Sequence, residues 1–265
     1  MSVERSMDEI GQRLATATEV IREAGALALG YFRKLDQLTI KSKGLQDMAS
    51  EADLNTELLI KERLAKAFPT DAFLGEETGT ADLAGASGIW VVDPIDGTQP
   101  FISGIRTWCV SIAYVQNNEI EIGLVYDPCA DELFAARRGG QATMNGRPIS
   151  PHPGADFTAG ITSVGYSNRI APASVISVMT RLLEAGGMFH RSGSGTLSIC
   201  YVACGRLLGY VEGHMNSWDA LAAIAIVRGA GGRTNDFLAD DGLTKGNVIV
   251  AGPAALYDRL EALTR

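Results

Sequence analysis

Two aspartates three positions apart, Asp93 and Asp96, follow the apolar run at residues 88–92. Pro94 restricts the backbone between them and Gly97 permits a tight turn behind them, so both carboxylates can be aimed at one point. Mg²⁺ prefers oxygen ligands in near-octahedral geometry and usually binds through carboxylates together with a substrate phosphate. This segment therefore predicts a site for a divalent cation and a phosphorylated substrate.

Further acids stand where they can reach the same site. Glu76 follows a short apolar pair, and Asp219 opens an apolar helix predicted at 217–230; ligands of open α/β sheets bind at such element ends. Taken alone, an acid near a helix N-terminus is explained by the helix dipole, and Asp-Pro or Asp-Gly by turn formation. Taken together, the acids favour a metal site. Gly97 and Thr98 would offer backbone N–H groups to a phosphate held there.

The elements that must position these acids begin with two helices. Apolar residues recur every three to four positions over 7–34, which predicts an amphipathic helix. A second helix is predicted over 51–68, behind the capping pair Ser50 and Asp53, and a proline ends it. The polar, glycine-bearing segment 39–49 between the helices predicts a mobile, irregular loop.

Strands and helices then follow in two different patterns. Apolar runs rich in β-branched residues predict strands at 88–93, 108–116, 119–126 and 132–138. Beyond the proline-dense connection at 148–153, short strands at 159–164, 207–212 and 247–251 alternate with helices at 172–185, 195–206, 217–230 and 253–264. The chain is therefore predicted to form two dissimilar α/β halves. Residues 1–150 would carry the metal-binding loops, and residues 151–265 would carry substrate recognition and the last metal ligand.

Composition narrows the class of ligand and the location. The 265 residues include 31 acidic and 23 basic side chains, a formal charge of −8, which disfavours nucleic acid as the main ligand. No apolar stretch approaches the roughly 18 residues of a membrane span, and the first ten residues are charged where a signal peptide is apolar. We therefore expect a cytoplasmic protein without a membrane partner. The four cysteines lack the paired spacing of a zinc site or a disulfide framework.

The segments that carry these acids resemble the inositol monophosphatase family of Mg²⁺-dependent, lithium-sensitive phosphatases. The resemblance covers nearly the whole chain and rests on the segments 47–53, 75–77, 90–98, 193–196 and 201–206, and on Trp218-Asp219 ahead of Gly231-Gly232. It implies a layered αβαβα sandwich of the inositol monophosphatase and sugar phosphatase type, in the α/β (α+β) class. It also implies a homodimer, for which the apolar strands within 108–126 could supply an interface.

The resemblance implies two or three Mg²⁺ ions in each active site. Asp93 would bridge two of them. By the same resemblance, Glu76 and the carbonyl of Ile95 complete the protein ligands of the first ion, and Asp96 and Asp219 those of the second.

A catalytic pair and a third ion are implied in the same way. Asp53 and Thr98 match the pair that in the family orients and helps deprotonate a metal-bound water, in some members with a third ion near Glu76. Lys41 or Lys43 could approach that ion or the phosphate, or could simply be solvated.

Recognition of the leaving group is predicted to use other residues. Glu212 matches the family acid that accepts hydrogen bonds from substrate hydroxyls. Gly193, Ser194 and Gly195 open a helix whose N–H groups could meet hydroxyls or a second anion, or could only be capped. Arg191 could bind a second anionic group or pair with a surface acid.

The resemblance thus implies a Mg²⁺-dependent phosphate monoester hydrolase for inositol monophosphate or a similar small polyol phosphate. Histidinol phosphate is the closest rival, because Glu212 could pair with its ammonium group; sugar bisphosphates and nucleotide 3′-phosphates come next. A regulatory protein that keeps the fold without the chemistry is the alternative from another class. Against that alternative, every acid that the family chemistry needs is present, and so is Thr98.

Overall fold

A computed structural model describes residues 2–38, 40–44, 47–80 and 86–265. In this part of the chain eight α-helices occur: α1 (Ser2–Phe32), α2 (Glu51–Ala67), α3 (Thr98–Ile102), α4 (Pro172–Glu184), α5 (Gly195–Ala203), α6 (Ser217–Gly229), α7 (Gly242–Lys245) and α8 (Tyr257–Ala262). The strands are β1 (Ile40–Gly44), β2 (Asp47–Ser50), β3 (Ala72–Gly75), β4 (Gly79–Thr80), β5 (Ile89–Asp96), β6 (Cys109–Gln116), β7 (Glu119–Asp127), β8 (Glu132–Arg137), β9 (Thr143–Met144), β10 (Arg147–Pro148), β11 (Ile161–Val164), β12 (Met188–His190), β13 (Gly209–Met215), β14 (Gly232–Thr234) and β15 (Asn247–Pro253).

Two large sheets organise the molecule. The first has eight strands in the order β10-β9-β8-β7-β6-β5-β3-β4, antiparallel except where β3 and β5 run parallel. The second has five strands in the order β12-β11-β13-β15-β14, with β11 parallel to both of its neighbours. Helices α1 and α2 cover one face of the first sheet, α5 and α6 lie between the sheets, and α4 and α8 cover the far face of the second. This αβαβα layering confirms the predicted sandwich.

Helix α6 lies in the middle of the sandwich because it is apolar on every side. All residues from 220 to 227 are buried, against the first sheet and the second sheet alike. A helix that is hydrophobic all round must be covered on all sides. Each of the predicted halves, 1–150 and 151–265, holds one large sheet, but α5 and α6 give both sheets a common core. The division of the chain into halves stays a prediction.

The prediction of an irregular loop at 39–49 was wrong. Strands β1 and β2 pair antiparallel there, with Ile40 opposite Ser50. A two-stranded ribbon is held by backbone hydrogen bonds. Because it does not need alternating apolar side chains, the sequence carries no pattern that would reveal it. The side chains of Lys41 and Lys43 lie outside the described part of the structure, so their prediction stays a prediction.

Several strands and helices begin or end at other residues than predicted. Strand β5 continues from the predicted end at Asp93 to Asp96, and β13 runs on to Met215. The helix predicted at 253–264 begins only at Tyr257, because β15 pairs with β14 as far as Pro253. Strands β3, β12 and β14 and helix α3 are too short for periodicity to reveal them.

The interface predicted within 108–126 is not available. These residues form β6 and β7, inner strands of the first sheet whose two faces are covered by α1 and α6. All four cysteines are free thiols. Of the helices in the described ranges, none is both long and apolar enough to cross a bilayer.

Candidate active site

A bulge in β5 sets the direction of the first two acids. Asp93 pairs with Ser111 and Asp96 with Cys109, so between these pairs two residues on β5 oppose one residue on β6. In a regular strand, side chains three positions apart point to opposite faces; one extra residue brings them to the same side. Asp93 Oδ1 accepts a 2.9 Å hydrogen bond from the backbone N–H of Ile95, which fixes the carboxylate within the bulge.

The third acid comes from the far end of the chain. Asp219 occupies the third position of α6 and forms a capping box with Asn216, accepting from its backbone N–H at 3.4 Å and its side-chain Nδ2 at 3.3 Å. Carboxylate oxygens of Asp93, Asp96 and Asp219 all lie within 4.8 Å of one another. The first two are buried and Asp219 is half-buried.

The chemistry of this donor set fits Mg²⁺. Burial raises the pKa of Asp93, and the charges of Glu76, Asp219 and Asp96 raise it further. Burial, together with the charge of Asp96, raises the pKa of Asp219 to about 7. Several buried carboxylates repel one another unless protons or cations neutralise them, and hard divalent cations take carboxylate oxygens as ligands.

Glu76 and Ile95 border the same cavity, which Asp93, Asp96 and Asp219 also line. Glu76 lies in the loop between β3 and β4 and is half-buried. It stands outside the group of three whose oxygens approach within 4.8 Å, although its charge still raises the pKa of Asp93. The structure therefore brings the five predicted metal ligands to one cavity, three of them tightly and Glu76 more loosely.

Asp53 and Thr98 make direct contact. The Thr98 hydroxyl donates to Asp53 Oδ1 at 3.3 Å and to the carbonyl of Ile95 at 3.2 Å. Asp53 Oδ2 accepts from the backbone N–H of Ser50 at 2.8 Å and from its hydroxyl at 2.7 Å, which completes the predicted capping box. Asp53 is fully buried, and this burial raises the pKa of its carboxyl. Thr98 lines the cavity, with Asp53 behind it.

Gly97 connects the bulge to α3 and lines the cavity. Its φ of +96° lies in the left-handed region, and a Cβ atom there would come 2.8 Å from the carbonyl oxygen of Thr107. Only glycine combines this backbone conformation with so close an approach.

The N-terminus of α5 provides hydrogen-bond donors to Asp96. Ser194 caps the helix by accepting from the backbone N–H of Leu197 at 3.2 Å, and its hydroxyl donates to Asp96 Oδ2. The backbone N–H of Thr196 donates to the same oxygen at 3.0 Å. The first-turn amides of Thr196 and Leu197 are thus used within the protein, and the positive end of the helix dipole faces a carboxylate. Gly193, Ser194 and Gly195 all line the cavity.

The cavity has a volume of about 910 Å³ and extends well beyond the acids. Arg191 and Glu212, for which the sequence suggested contacts with substrate, also line it, together with Arg169 and His214. Glu212 lies within β13 rather than at its end, and Glu212 Oε2 accepts a 2.5 Å hydrogen bond from the hydroxyl of Tyr210. Burial raises the pKa of Glu212 to about 7 against the lowering effect of that hydrogen bond.

The sequence model of the inositol monophosphatase family matches residues 10–265. This chain belongs to that family. It is 33% identical over 250 residues to the Nus factor SuhB of Haemophilus influenzae, covering 93% of each protein. Its fold is similar to the extragenic suppressor protein suhB of Bartonella henselae, at a TM-score of 0.90, 29% identity and coverage of 96% and 98%. The inositol monophosphatase of Anabaena matches at a TM-score of 0.83 and 28% identity, over 96% of both chains.

Three residues that support the site in this family member were not given that role by the sequence: Tyr210, Glu57 and Thr196. Tyr210 stands two positions before Glu212, a spacing that puts two strand residues on one face. Glu57 stands four positions after Asp53, on the same face of α2. These two spacings are visible in the sequence and could have indicated Tyr210 and Glu57. The contact of Thr196 with Asp96 spans 100 positions and leaves no local signal.

Proposed function

We propose that this chain is a Mg²⁺-dependent hydrolase of phosphate monoesters. One observation carries the proposal: acids from the bulge of β5 and from the start of α6 meet within 4.8 Å at a large cavity. Phosphoryl transfer leaves a protein mainly positioning and charge neutralisation to supply. Membership of the inositol monophosphatase family supports the same chemistry.

Five residues would hold the ions, two or three in number: Glu76, Asp93, Asp96, Asp219 and the carbonyl of Ile95. When bound, Mg²⁺ supplies charge neutralisation for a phosphate and a lower pKa for water. The protein's part is to keep the carboxylates converged on one point, and the hydrogen bonds to Asp93, Asp96 and Asp219 supply that rigidity.

Asp53 and Thr98 would handle the proton of the attacking water. Thr98 Oγ1 faces the cavity and donates to Asp53 Oδ1, so a proton taken up at Thr98 can pass to Asp53. Ser50 fixes the other carboxylate oxygen and leaves Oδ1 as the receiving atom. Burial raises the pKa of Asp53, and this makes it a stronger base than an exposed aspartate.

The preferred substrate in this proposal is inositol monophosphate or a similar small polyol phosphate. The Glu212 carboxylate, oriented by Tyr210, is an acceptor for substrate hydroxyls. Histidinol phosphate stays the closest rival because an ammonium group would suit the same acid. Arg169 and Arg191, which also line the cavity, would suit a second anionic group, which keeps sugar bisphosphates and nucleotides in the test.

A substrate panel at fixed Mg²⁺ tests the proposal. We expect inositol 1-phosphate to give a higher kcat/KM than histidinol phosphate, fructose 1,6-bisphosphate and adenosine 3′,5′-bisphosphate, with inhibition by Li⁺. A tenfold preference for histidinol phosphate would reverse the order of substrates. Failure to release phosphate from any of the four, with Mg²⁺ present, would refute the hydrolase itself.

A regulatory role is the second candidate, because several relatives are named as Nus factors and not as phosphatases. The complete set of acids at one cavity favours catalysis. Mg²⁺-dependent release of phosphate from a general aryl phosphate separates the two candidates, since a scaffold without chemistry would release none.

We further propose a cytoplasmic homodimer. Exposed apolar side chains on the edge strand β12, on the adjacent β11 and on α4 would form the subunit interface: Ile161, Ile176, Leu183, Met188 and Phe189. Light scattering coupled to size-exclusion chromatography would give twice the chain mass of 28.1 kDa for a dimer. Cell fractionation would test the location.

A further inference from the structure

One buried carboxylate is not used by the proposed reaction. Glu57 of α2 has no exposed surface, and its carboxylate accepts hydrogen bonds from the backbone N–H groups of Glu77 at 2.8 Å and Thr78 at 2.7 Å. A carboxylate is costly to bury unless it is hydrogen-bonded or paired. Backbone amides that donate to it form charge-assisted bonds, which are among the strong ones in proteins. Such hydrogen bonds fix the positions of both the carboxylate and the backbone amides.

The partner is the loop that carries Glu76. Strands β3 and β4 pair Gly75 with Gly79, which leaves the three-residue hairpin loop 76–78. Strand β4 has only two residues and lies at the sheet edge, so the hairpin itself offers little to hold the loop. The backbone N–H of Glu76 donates to the carbonyl of Val92 at 3.2 Å. With that bond and the two to Glu57, every amide of the loop has an acceptor.

Helix α2 contacts the hairpin at further points. Lys61 Nζ donates to Thr78 Oγ1 at 3.2 Å, one helical turn beyond Glu57. A Cβ atom at Gly75 would lie 2.4 to 2.5 Å from carbon and oxygen atoms of the Glu57 carboxyl group. The carboxylate therefore packs against the backbone of β3, and this packing requires glycine at position 75.

We propose that Glu57 is a positioning residue for the metal ligand Glu76. The inference rests on the proposed function. It adds to that proposal by naming the residue that supports Glu76, the proposed acidic ligand that lies outside the group of three aspartates. Asp93, Asp96 and Asp219 are held by hydrogen bonds to their own carboxylates. Glu76 lies in the loop whose next two backbone amides donate to the Glu57 carboxylate. Loss of Glu57 should weaken the binding of the Mg²⁺ ion next to Glu76, while the three aspartates stay in place.

Isothermal titration of the metal-free protein with MgCl₂ tests this inference. Glu57→Gln keeps the shape of the side chain but turns an NH₂ group towards a loop amide. We expect at least one Mg²⁺ site to weaken by about 10–100-fold, the usual cost of removing an outer-shell partner. Glu62→Gln, an exposed change in the same helix, is the matched control and should bind as wild type does.

A second variant leaves Glu57 itself intact. Gly75→Ala would push the carboxylate away from the loop through its new Cβ, and we expect the same loss of Mg²⁺ affinity. If Glu57→Gln does not fold, this variant decides the matter. Melting curves in EDTA separate positioning from general support, because a purely structural role would lower the melting temperature without changing the Mg²⁺ dissociation constants.

The outcomes distinguish this inference from the function on which it rests. Wild-type Mg²⁺ dissociation constants in the folded variants would overturn the role of Glu57 and leave the hydrolase proposal standing. Absence of Mg²⁺ binding by the wild-type protein would overturn both. Weakened binding in Glu57→Gln and Gly75→Ala, with Glu62→Gln unchanged, would support the role.

Discussion

The residues that line the cavity form two sets with different surroundings: a metal wall (Glu76, Asp93, Ile95, Asp96 and Asp219) and a substrate wall (Arg169, Arg191, Tyr210 and Glu212). On the metal wall, Asp93 and Asp96 are buried, and Asp93, Asp96 and Asp219 each accept hydrogen bonds from backbone or hydroxyl groups. On the substrate wall, Arg169 and Arg191 are exposed, and Glu212 is half-buried, as Asp219 is. Backbone hydrogen bonds thus hold the three aspartates of the proposed reaction, whereas the two arginines proposed for substrate choice are exposed to solvent. Changes on the two walls should therefore have different signatures.

The largest effect should come from the metal wall. Asp93→Asn removes the charge of the acid that is predicted to bridge two ions, so turnover should fall by more than the roughly 10–100-fold that an outer-shell change costs. The circular dichroism spectrum should be unchanged. The exposed change Asp36→Asn serves as the control in a phosphate-release assay. Asp93→Asn activity within twofold of wild type would remove the metal assignment.

Ser194→Ala should have the next largest effect. It removes the hydroxyl group that donates to the Asp96 carboxylate, so Mg²⁺ affinity should fall by about 10–100-fold. Calorimetric titration measures this directly, with the exposed change Ser174→Ala as control. If both variants titrate alike, Ser194 is only a helix cap.

Tyr210→Phe should affect substrate recognition and leave the metal ligands in place. A hydrogen bond to a charged group contributes about 1.5–3 kcal/mol, so losing the support of Glu212 should raise KM for inositol 1-phosphate by about tenfold or more. The KM for p-nitrophenyl phosphate, which has no hydroxyl for Glu212, should stay unchanged. Tyr201→Phe, outside the cavity, is the control. An equal rise in both KM values would contradict separate functions of the two walls.

The smallest effect should be on stability, and it depends on pH. The folded pKa of Asp219 is about 7 against an ordinary 3.8, so the folded protein binds more protons than the unfolded chain between these values. The free energy of unfolding must then fall as pH rises through this window. Without metal, the melting temperature should therefore decrease from pH 4.5 to 7.5.

Millimolar Mg²⁺ should reverse much of that decrease, because the cation neutralises the carboxylates. Differential scanning calorimetry in EDTA and in MgCl₂ across this pH range measures both effects. Identical melting curves in the two buffers at pH 7.5 would argue against a metal centre of repelling acids.

The sequence by itself determined most of the residues proposed for the candidate site, although Arg169, Tyr210 and Glu57 were not among them. Capping pairs such as Ser50 with Asp53 and the apolar pattern of α6 are local features, so helices α2 and α6 could be predicted with the acids at their first turns. The family was also evident, because its motifs are short and contiguous. Strands β3, β12 and β14 were missed because three or four residues carry too little periodicity.

Only the tertiary structure decided how those residues act together. The bulge that turns Asp93 and Asp96 to one side arises from the register between β5 and β6. The support of Asp96 by Ser194, and of the Glu76 loop by Glu57, joins residues 98 and 20 or more positions apart. Local patterns specify helices and turns because their hydrogen bonds are local. Long-range contacts depend on how the layers pack, and no short segment of the chain contains that information.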